Sequence, residues 1–292
     1  MLPQVRRLPS APGVYRFRDG RGRVLYVGRA TDLRGRVASY WSDLRDRPHL
    51  ARMVAAIGRV EALVCDSVHE AAWLERNLLE ERLPRWNRTP GGQEVPVYLV
   101  LEDGPAKPGL RVIHRPVPGR IFGPYLGGLR GRLALSALHR IHPLPYAGSR
   151  LSGAERAMAD RRGIGPADRE ALAAGIAAIL SREPGAAAGA ALLLAEHRDR
   201  AAAEERYEQA GQIQAEIAAL EWITSPQHVT TLDAADLAFQ AWSDGVLVRF
   251  AVRGGRLCDW AQRRTPNAPE SPPPASWAAF AQRNAALAAA LS

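Results

Sequence analysis

The sequence predicts an α+β fold, in which a small α/β module with a central antiparallel sheet flanked by helices precedes a helical region and a small β-meander. Three observations support this prediction. Residues 14–17 and 24–27 are β-branched and aromatic runs separated by an Asp-Gly-Arg-Gly turn, which is typical of a β-hairpin. Several stretches between residues 31 and 224 place apolar side chains at helical spacing. Strand-like runs with glycine turns return over 236–262.

The first module is predicted to contain, in order, a hairpin, two helices, a third strand and a longer helix. Thr31 can cap the first helix, and Ser67 begins a capping-box pattern with Glu70 at the start of the last one. Pro84 ends that last helix, because proline cannot continue it. The predicted elements are the hairpin 10–28, the helices 31–42, 49–57 and 67–83, and the strand 60–65.

The remainder of the chain is predicted to combine short strands with helices. Pro184 and Gly185 separate two helical stretches, and residues 265–276 form a proline-rich linker before an alanine-rich helix. The predicted elements are a loop at 90–95, strands at 97–101 and 112–115, a connector at 147–168, helices at 130–142, 168–182 and 188–200, and a helical hairpin at 197–224. The predicted domains are the module at 1–90, an extension at 91–146, a helical connector at 147–195, the hairpin at 196–226, and the meander with its linker and helix at 232–292.

Positive charge is concentrated at the start of the chain. The 292 residues carry a net charge of +9, and residues 1–90 hold 17 arginines against 10 acidic residues, a net +7. A basic surface of this kind predicts a polyanionic partner, although arginine could also be a compositional habit of the chain. Residues 196–226 hold three arginines against seven acidic residues, a net −4, which predicts a different role for that segment.

The cysteine content and the N-terminus predict a cytoplasmic protein. Cys65 and Cys258 are the two cysteines, too few for a disulfide framework or a cysteine metal site. Residues 1–6 lack the apolar core of a signal sequence. No apolar run approaches the ~20 residues needed to span a bilayer, so no membrane association is expected.

The runs Gly13-Val14-Tyr15 and Tyr26-Val27-Gly28, together with five further residues, resemble the GIY-YIG endonuclease family. Ten residues lie between these two motifs. Either tyrosine alone would be ordinary in a strand. The residues that extend the resemblance are Arg29, Arg36, Tyr40, Glu75 and Asn87. The resemblance covers the whole module at 1–90 and implies a metal-dependent nuclease that hydrolyses a DNA phosphodiester.

The resemblance implies a one-metal site. Glu75 would hold a single Mg²⁺ or Mn²⁺ ion, because a hard cation prefers carboxylate oxygen and the module offers no second obvious carboxylate. On position alone, a glutamate in mid-helix is more simply explained as a solvated surface charge. Tyr15 or Tyr26 would accept a proton from the attacking water, and the resemblance does not distinguish them. A phenol has a pKa of about 10, so arginines and the metal would have to lower that pKa.

The other residues of the set have implied supporting roles. Arg36 would stabilise charge in the transition state, because its planar fork suits phosphate oxygens. Tyr40 would hydrogen-bond a phosphate oxygen, and Asn87 would buttress the metal or Glu75. Arg29 replaces a lysine found in many related proteins, so it can supply charge but cannot act as a base. The arginines predicted to contact DNA are Arg16, Arg29, Arg34, Arg36 and Arg85.

Residues beyond the module narrow the resemblance to the UvrC and Cho type of this family. Phe122-Gly123-Pro124-Tyr125 and the helix after it are similar to an extension found in UvrC-type chains. In those chains a cysteine of an iron–sulfur ligand set follows a Pro-Leu turn, whereas Tyr146 occupies that position here. No iron–sulfur cluster is therefore expected. The chain is also expected to lack the RNase H-like active site and the helix-hairpin-helix region.

The hairpin at 196–226 resembles the UVR motif, through which UvrC-type proteins dock on the helicase UvrB. Its predicted docking seam consists of Tyr207, Ala210, Ile213, Ile217 and Leu220. Gln214 and Ala215 replace the Arg-Asp pair of the motif. Packing of this hairpin inside the protein is the alternative to partner binding.

The resemblance as a whole implies a monomeric endonuclease of nucleotide excision repair. It would make a single incision on the 3′ side of a lesion in double-stranded DNA, with a UvrB-like helicase as its partner. One alternative is a nuclease of another DNA-processing pathway, which the docking hairpin and the lack of a sequence-reading module disfavour. The other is a non-catalytic DNA-binding homologue, which the intact polar set disfavours.

Overall fold

A computed structural model describes residues 2–42, 48–90 and 94–292. The chain folds into two units. The first unit combines Met1–Gln93 with Pro226–Ser292, and the second consists of Glu94–Ser225. Of the predicted loop at 90–95, residues 91–93 lie outside the described residues.

The described residues form helices and three separate sheets. The helices are α1 Pro3–Arg7, α2 Leu33–Ala38, α3 Pro48–Ala56, α4 Val68–Glu81, α5 Gly128–Ile141, α6 Gly153–Arg162, α7 Arg169–Leu180, α8 Ala186–Ala203, α9 Tyr207–Thr224 and α10 Ala275–Leu291. The strands are β1 Gly13–Arg18, β2 Val24–Ala30, β3 Arg59–Val64, β4 Pro96–Glu102, β5 Gly109–Ile113, β6 Arg120–Leu126, β7 Leu237–Ser243, β8 Val246–Arg253 and β9 Arg256–Arg264. The strand orders are β2-β1-β3, β5-β4-β6 and β7-β8-β9. Among the described helices, none is both long and apolar enough to cross a bilayer.

The predicted hairpin forms the centre of the first sheet. β1 pairs antiparallel with β2 and β3, and its register with β2 places Phe17 opposite Tyr26 and Tyr15 opposite Gly28. Since side chains alternate along a strand, Tyr15, Phe17 and Tyr26 share one face. That face packs into a core with residues of α1, α2 and α3, including the fully buried Leu33.

Helix α4 packs against β1 and β2 and begins with a side-chain cap. Ser67 Oγ accepts a hydrogen bond from the Glu70 backbone N–H at 2.9 Å, at the predicted start. The Glu70 carboxylate accepts from the Asp66 N–H at 2.7 Å, which satisfies a further donor before the first turn. Ala71 and Leu74 are fully buried. The cap and the buried stripe give α4 a fixed position beside the sheet.

The C-terminal meander belongs to the first unit. Its three strands pair antiparallel, as predicted, and α10 packs against β3, β7 and β8. Asn284 of α10 is fully buried. It accepts from the Val64 N–H at 2.7 Å and donates to the Val64 oxygen at 3.1 Å. Asn284 therefore takes the place of a neighbouring strand at the outer edge of β3.

The second unit builds its core between the sheet β5-β4-β6 and helices. α5 packs against β4, β5, α8 and α9, and Leu138, Ile213 and Leu220 are buried in the shared core. Glu216 of α9 is fully buried and accepts from Arg140 of α5 at 2.7 Å. The helix α9 is thus a structural member of this unit.

Several elements differ from the sequence prediction. The helix predicted at 31–42 consists of α2 and a 3₁₀ turn at Ser39–Trp41, and Gly35 inside it weakens helix formation. α6 lies within the predicted connector, where Ser152 and Glu155 form a capping box. The strand β6 was not predicted, whereas α8 corresponds to the helix predicted at 188–200. The α+β class and the order of module, helical region and meander are confirmed.

Candidate active site

Three tyrosines and a phenylalanine form a cluster over the hairpin. The hydroxyl groups of Tyr15 and Tyr40 lie 2.8 Å apart and share a hydrogen bond. The ring centroids of Tyr15 and Tyr26 are 6.2 Å apart, and Phe17 packs edge-on against Tyr40 at 5.0 Å. Tyr15 and Tyr40 are buried, whereas Tyr26 is half-buried. The register of the hairpin therefore brings the predicted phenols together.

The two motif glycines are required by close packing. A Cβ atom at Gly28 would lie 2.5 Å from the Tyr15 hydroxyl oxygen and 2.7 Å from Cε1 of Tyr26. A Cβ atom at Gly13 would lie 2.7 Å from Cδ1 of Leu33. Carbon atoms in favourable contact are about 3.5–4.0 Å apart. The Tyr15 and Tyr26 side chains fill the space at Gly28, whereas a Cβ atom at Gly13 would also overlap the Leu63 backbone oxygen.

Glu75 lies at the free edge of β2. Its Oε1 accepts a hydrogen bond from the Arg29 backbone N–H at 3.1 Å, and its Oε2 lies 3.3 Å from Nε of Arg29. The side chain is 21% exposed, so it is neither buried nor a freely solvated surface charge. Burial and Tyr40 raise the pKa of Tyr26, and the Glu75 carboxylate adds to that rise.

Asn87 holds the same edge of β2. Its Oδ1 accepts from the Val27 N–H at 3.0 Å, and its Nδ2 donates to the Val27 oxygen at 2.8 Å. The Trp86 N–H donates to the Leu25 oxygen at 3.1 Å. Asn87 therefore pairs with the backbone of Val27. Val27 lies two residues before Arg29, whose backbone N–H donates to Glu75. Asn87 and Glu75 thus both bond the backbone of β2.

Four of the five arginines predicted to contact DNA have solvent access. Arg34, Arg36 and Arg85 are exposed, and the Arg29 side chain is 37% exposed. The Arg36 guanidinium lies 5.2 Å from the Tyr40 ring centroid, beside the hydroxyl pair. These positions suit charges that meet a phosphate backbone at the mouth of the site.

Arg16 corrects the prediction for the fifth arginine. It is 3% exposed, and its guanidinium donates to the Trp260 backbone oxygen at 2.6 Å and pairs with Glu61. Arg16 points to the face of β1 opposite Tyr15, because side chains alternate along a strand. A guanidinium buried on that face cannot reach DNA.

Both candidate general bases hold their protons more tightly than a free phenol does. Burial raises the pKa of Tyr15 well above its usual value, and Tyr40 and Tyr26 raise it further, while Arg36 opposes them. Burial also raises the pKa of Tyr26, again with a contribution from Tyr40. Arg36 lowers the pKa of both phenols, as predicted for nearby arginines, but burial outweighs it in the protein alone.

The donor chemistry at Glu75 fits a hard divalent cation. A carboxylate is the oxygen ligand that Mg²⁺ prefers, and partial exposure leaves room for the water molecules that Mg²⁺ keeps. The hydrogen bond from the Arg29 N–H fixes the carboxylate in place. Glu75 is therefore the residue that would hold the ion.

The predicted docking seam is mostly internal. Ile213 and Leu220 are fully buried, and Ile217 is 6% exposed. These three side chains belong to the core of the second unit, which corrects their assignment as partner-binding residues. Tyr207 is 70% exposed and remains accessible. Ala210 is half-buried.

Two buried polar residues of the first unit are absent from the sequence prediction. Asn77 is fully buried two residues after Glu75, within the apolar stripe of α4. Glu61 is fully buried in β3 and pairs with Arg16. Their position inside an apolar helix stripe or strand could have identified them in the sequence, because polar residues are buried there only when they have bonding partners.

Comparisons with known proteins agree with the motifs. Residues 11–88 match the family model described as a UvrC-like GIY-YIG domain. The chain is 34% identical over 269 residues to the UvrABC system protein C of Geobacter metallireducens, an alignment that covers 86% of this chain and 43% of that relative. It is 32% identical over 278 residues to the UvrABC system protein C of Thermobifida fusca, with 88% and 42% covered. The chain thus spans less than half the length of these relatives.

One solved structure is similar to the first module. It is the GIY-YIG N-terminal endonuclease domain of UvrC from Thermotoga maritima, bound to its catalytic divalent cation, magnesium. The two sequences are 29% identical, and the match covers 30% of this chain and 100% of that chain, with a TM-score of 0.27. The family match and the named relatives confirm the resemblance that the motifs predict.

Proposed function

We propose that this chain, whose residues 11–88 form a UvrC-like GIY-YIG endonuclease domain, is a metal-dependent DNA endonuclease of nucleotide excision repair that makes a single incision on the 3′ side of a lesion. The observation that carries the proposal is the joint placement of a buried hydroxyl pair, an exposed arginine and a carboxylate. The pair is Tyr15 and Tyr40 at 2.8 Å, the arginine is Arg36 beside them, and the carboxylate is Glu75 on the adjoining strand edge.

The residues of this site have complementary roles in phosphodiester hydrolysis. A divalent cation at Glu75 would neutralise the scissile phosphate and stabilise the leaving 3′ oxygen. Arg36 presents a planar fork to the phosphate oxygens, and Tyr40 offers a hydroxyl to them. Arg29 adds charge and positions Glu75 through its backbone N–H.

Tyr15 is our first candidate to accept the proton of the attacking water, and Tyr26 is the second. Burial raises the pKa of both phenols, so each is protonated at neutral pH in the protein alone. Arg36 is the described group that lowers the pKa of Tyr15. Proton acceptance therefore depends on positive charge close to the phenol.

We infer that the outer face of α8 and α9 binds a UvrB-like helicase. Support comes from exposed apolar side chains on these helices, which include Leu192 at 68% and Tyr207 at 70% exposure. Leu192 lines a groove between the helices, together with Arg198 and Glu221. The relatives are named as components of a UvrABC system. The buried seam residues Ile213, Ile217 and Leu220 pack in the core of the second unit, and the exposed Tyr207 is accessible to a partner.

A nicking assay tests the proposed function. Lesion-bearing and undamaged duplexes are incubated with the protein in Mg²⁺, with and without a UvrB-like helicase, and the cut position is mapped. The proposal expects one incision on the 3′ side of the lesion that depends on the helicase. Equal cutting of both duplexes regardless of the helicase would favour another DNA-processing pathway. Binding without any cutting in Mg²⁺ or Mn²⁺ would indicate a non-catalytic homologue.

DNA affinity is expected to fall steeply as salt increases. Residues 1–90 carry a net +7, and their exposed arginines would bind phosphates and displace counterions. Each neutralised phosphate contributes roughly −0.9 to the slope of log affinity against log salt. Affinities measured from about 50 to 200 mM salt, a range suited to this effect, give that slope. A slope near zero would show that this basic surface is not the DNA footprint.

Leu192→Asp combined with Tyr207→Ala is expected to lower helicase-dependent incision by at least about tenfold, or about 1.4 kcal/mol. A charge at an apolar interface disrupts docking, because it must be desolvated without a partner. Non-specific nicking in Mn²⁺ should not change, since the active site is untouched. Leu129→Asp alters another exposed leucine of the second unit and serves as the matched control. Equal helicase-dependent rates in the variant and control would show that recruitment uses another surface.

A further inference from the structure

We propose that strand β9 is a positioning element for the active site, because it holds both the strand that carries Tyr15 and the helix that carries Glu75. The contacts run through Arg16, the residue after Tyr15, and through Asn77, two residues after Glu75. The inference rests on the proposed function. It gives the C-terminal meander a part in the reaction that the two motifs do not predict.

Arg16 connects β1 to β9. Its Nη2 donates to the Trp260 backbone oxygen at 2.6 Å, and its Nη1 lies 3.2 Å from Oδ1 of Asp259. The guanidinium also stacks 3.6 Å from the centroid of the Trp260 ring, and Glu61 pairs with its Nε. Since Arg16 is buried, a shift of β1 relative to β9 would break its bonds to Trp260 and Asp259 and leave Glu61 of β3 to compensate the buried charge.

Asn77 connects α4 to the same strand. Its Oδ1 accepts from Nε of Arg256 at 3.1 Å. Its Nδ2 donates to Thr230 Oγ1 at 2.9 Å and to the Val229 oxygen at 3.1 Å. Arg256 also pairs with Glu80, one turn further along α4. The fully buried amide of Asn77 is thus bonded at both ends to the C-terminal segment, so α4 and β9 must move together.

The two connecting side chains, Arg16 on β1 and Asn77 on α4, point away from the reacting groups. Successive side chains of a strand point to opposite faces, so Arg16 leaves β1 on the face opposite Tyr15. Residues two apart on an α-helix are about 200° apart around its axis, so Asn77 leaves α4 on the side away from Glu75. The strand β9 therefore contacts β1 and α4 on the faces opposite Tyr15 and Glu75 and does not cover these two side chains.

One nine-residue strand, Arg256–Arg264, thus supports the relative placement of the tyrosine cluster and the carboxylate, in addition to the direct contacts of α4 with β1 and β2. A misplacement of about 1 Å in a reacting group can lower a rate about 100-fold. If β9 only stabilised the fold, molecules that remain folded would keep their metal affinity and rate. The two roles are therefore separable by experiment.

Arg256→Lys tests the connection to α4. Lysine keeps a charge for Glu80 but lacks the planar Nε donor for Asn77. We expect Mn²⁺ affinity of the whole chain, measured by electron paramagnetic resonance of the free ion, to fall about tenfold, with faster amide hydrogen exchange in α4. Arg253→Lys is the matched control, since Arg253 pairs with Glu81 at the exposed end of α4. The control should leave both measurements unchanged.

Asp259→Asn tests the connection to β1. The amide keeps the size of the side chain but loses the charge that faces Arg16. We expect kcat at saturating metal to fall about fivefold, while Mn²⁺ affinity stays within about twofold of wild type because Glu75 is held by the other connection. Asp244→Asn, at an exposed turn of the same meander, should change neither value.

Two outcomes separate this inference from the proposed function. A lower melting temperature in Arg256→Lys and Asp259→Asn, with unchanged Mn²⁺ affinity and rate for the folded protein, would overturn the positioning role of β9. Wild-type protein that binds Mn²⁺ but nicks no DNA would overturn the proposed function. In that case the loss of Mn²⁺ affinity in Arg256→Lys would still support positioning.

Discussion

Nicking is expected to fall at least a thousandfold in Glu75→Gln, while DNA binding stays close to that of wild type. A thousandfold loss corresponds to about 4 kcal/mol of transition-state stabilisation, which is within the several kcal/mol that a metal ion supplies. The amide retains the shape of Glu75 and can still accept from the Arg29 N–H. It loses the charge that would hold the ion. Nicking rates across a Mg²⁺ titration, together with a DNA-binding isotherm, measure both effects.

Glu81→Gln is the matched control for this experiment. Glu81 lies on the same helix α4 and pairs with the exposed Arg253, and such surface pairs contribute roughly 0–1 kcal/mol. The control should nick at the wild-type rate. If Glu75→Gln also nicks within about tenfold of wild type, a barrier change of about 1.4 kcal/mol, Glu75 is not the metal ligand.

Gly28→Ala should lower the nicking rate about 100-fold, or about 2.7 kcal/mol in the barrier. The added Cβ would lie 2.5 Å from the Tyr15 hydroxyl oxygen, so the Tyr15 ring must move. That ring is fully buried against Phe17 and Tyr40, so its movement must displace these neighbours. Overpacking of this kind costs roughly 1–3 kcal/mol of stability. A single-turnover nicking rate and a thermal melt measure the two losses.

Gly20→Ala is the matched control in the turn of the same hairpin. A Cβ atom at Gly20 would meet nothing within 4 Å, so neither rate nor stability should change. Should Gly28→Ala nick within about threefold of this control, about 0.7 kcal/mol, the close approach of Tyr15 to the Gly28 backbone would not matter for the reaction.

The parts of the site that were predictable from the sequence are set by local patterns. The geometry of the hairpin follows from its turn and from the alternation of side chains. Once the register of its two strands is known, the contact between Tyr15 and Tyr26 is predicted. The start of α4 follows from Ser67, whose side chain caps the helix. These features depend on interactions between residues that are close in sequence.

The incorrect predictions involve distant partners. Arg16 was assigned to DNA from its charge, but Trp260 and Asp259, more than 240 positions away, bury it. Ile213 and Leu220 were assigned to a docking seam, but a core shared with α5 covers them. An apolar stripe shows that a helix face is covered, and it does not show whether the cover comes from the same chain or another protein.

The discontinuity of the first unit has a consequence for synthesis. The partner of Arg16 on β9, Asp259, is translated 243 residues later, which takes roughly 12 to 50 s at about 5–20 residues per second. During that interval the nascent module carries both motifs but lacks β9 and α10, so Arg16 and the outer edge of β3 remain without their final partners. Closing so long a loop also adds an entropic cost to folding. If β9 positions the site as proposed, the cutting site reaches its final geometry only after β9 has left the ribosome.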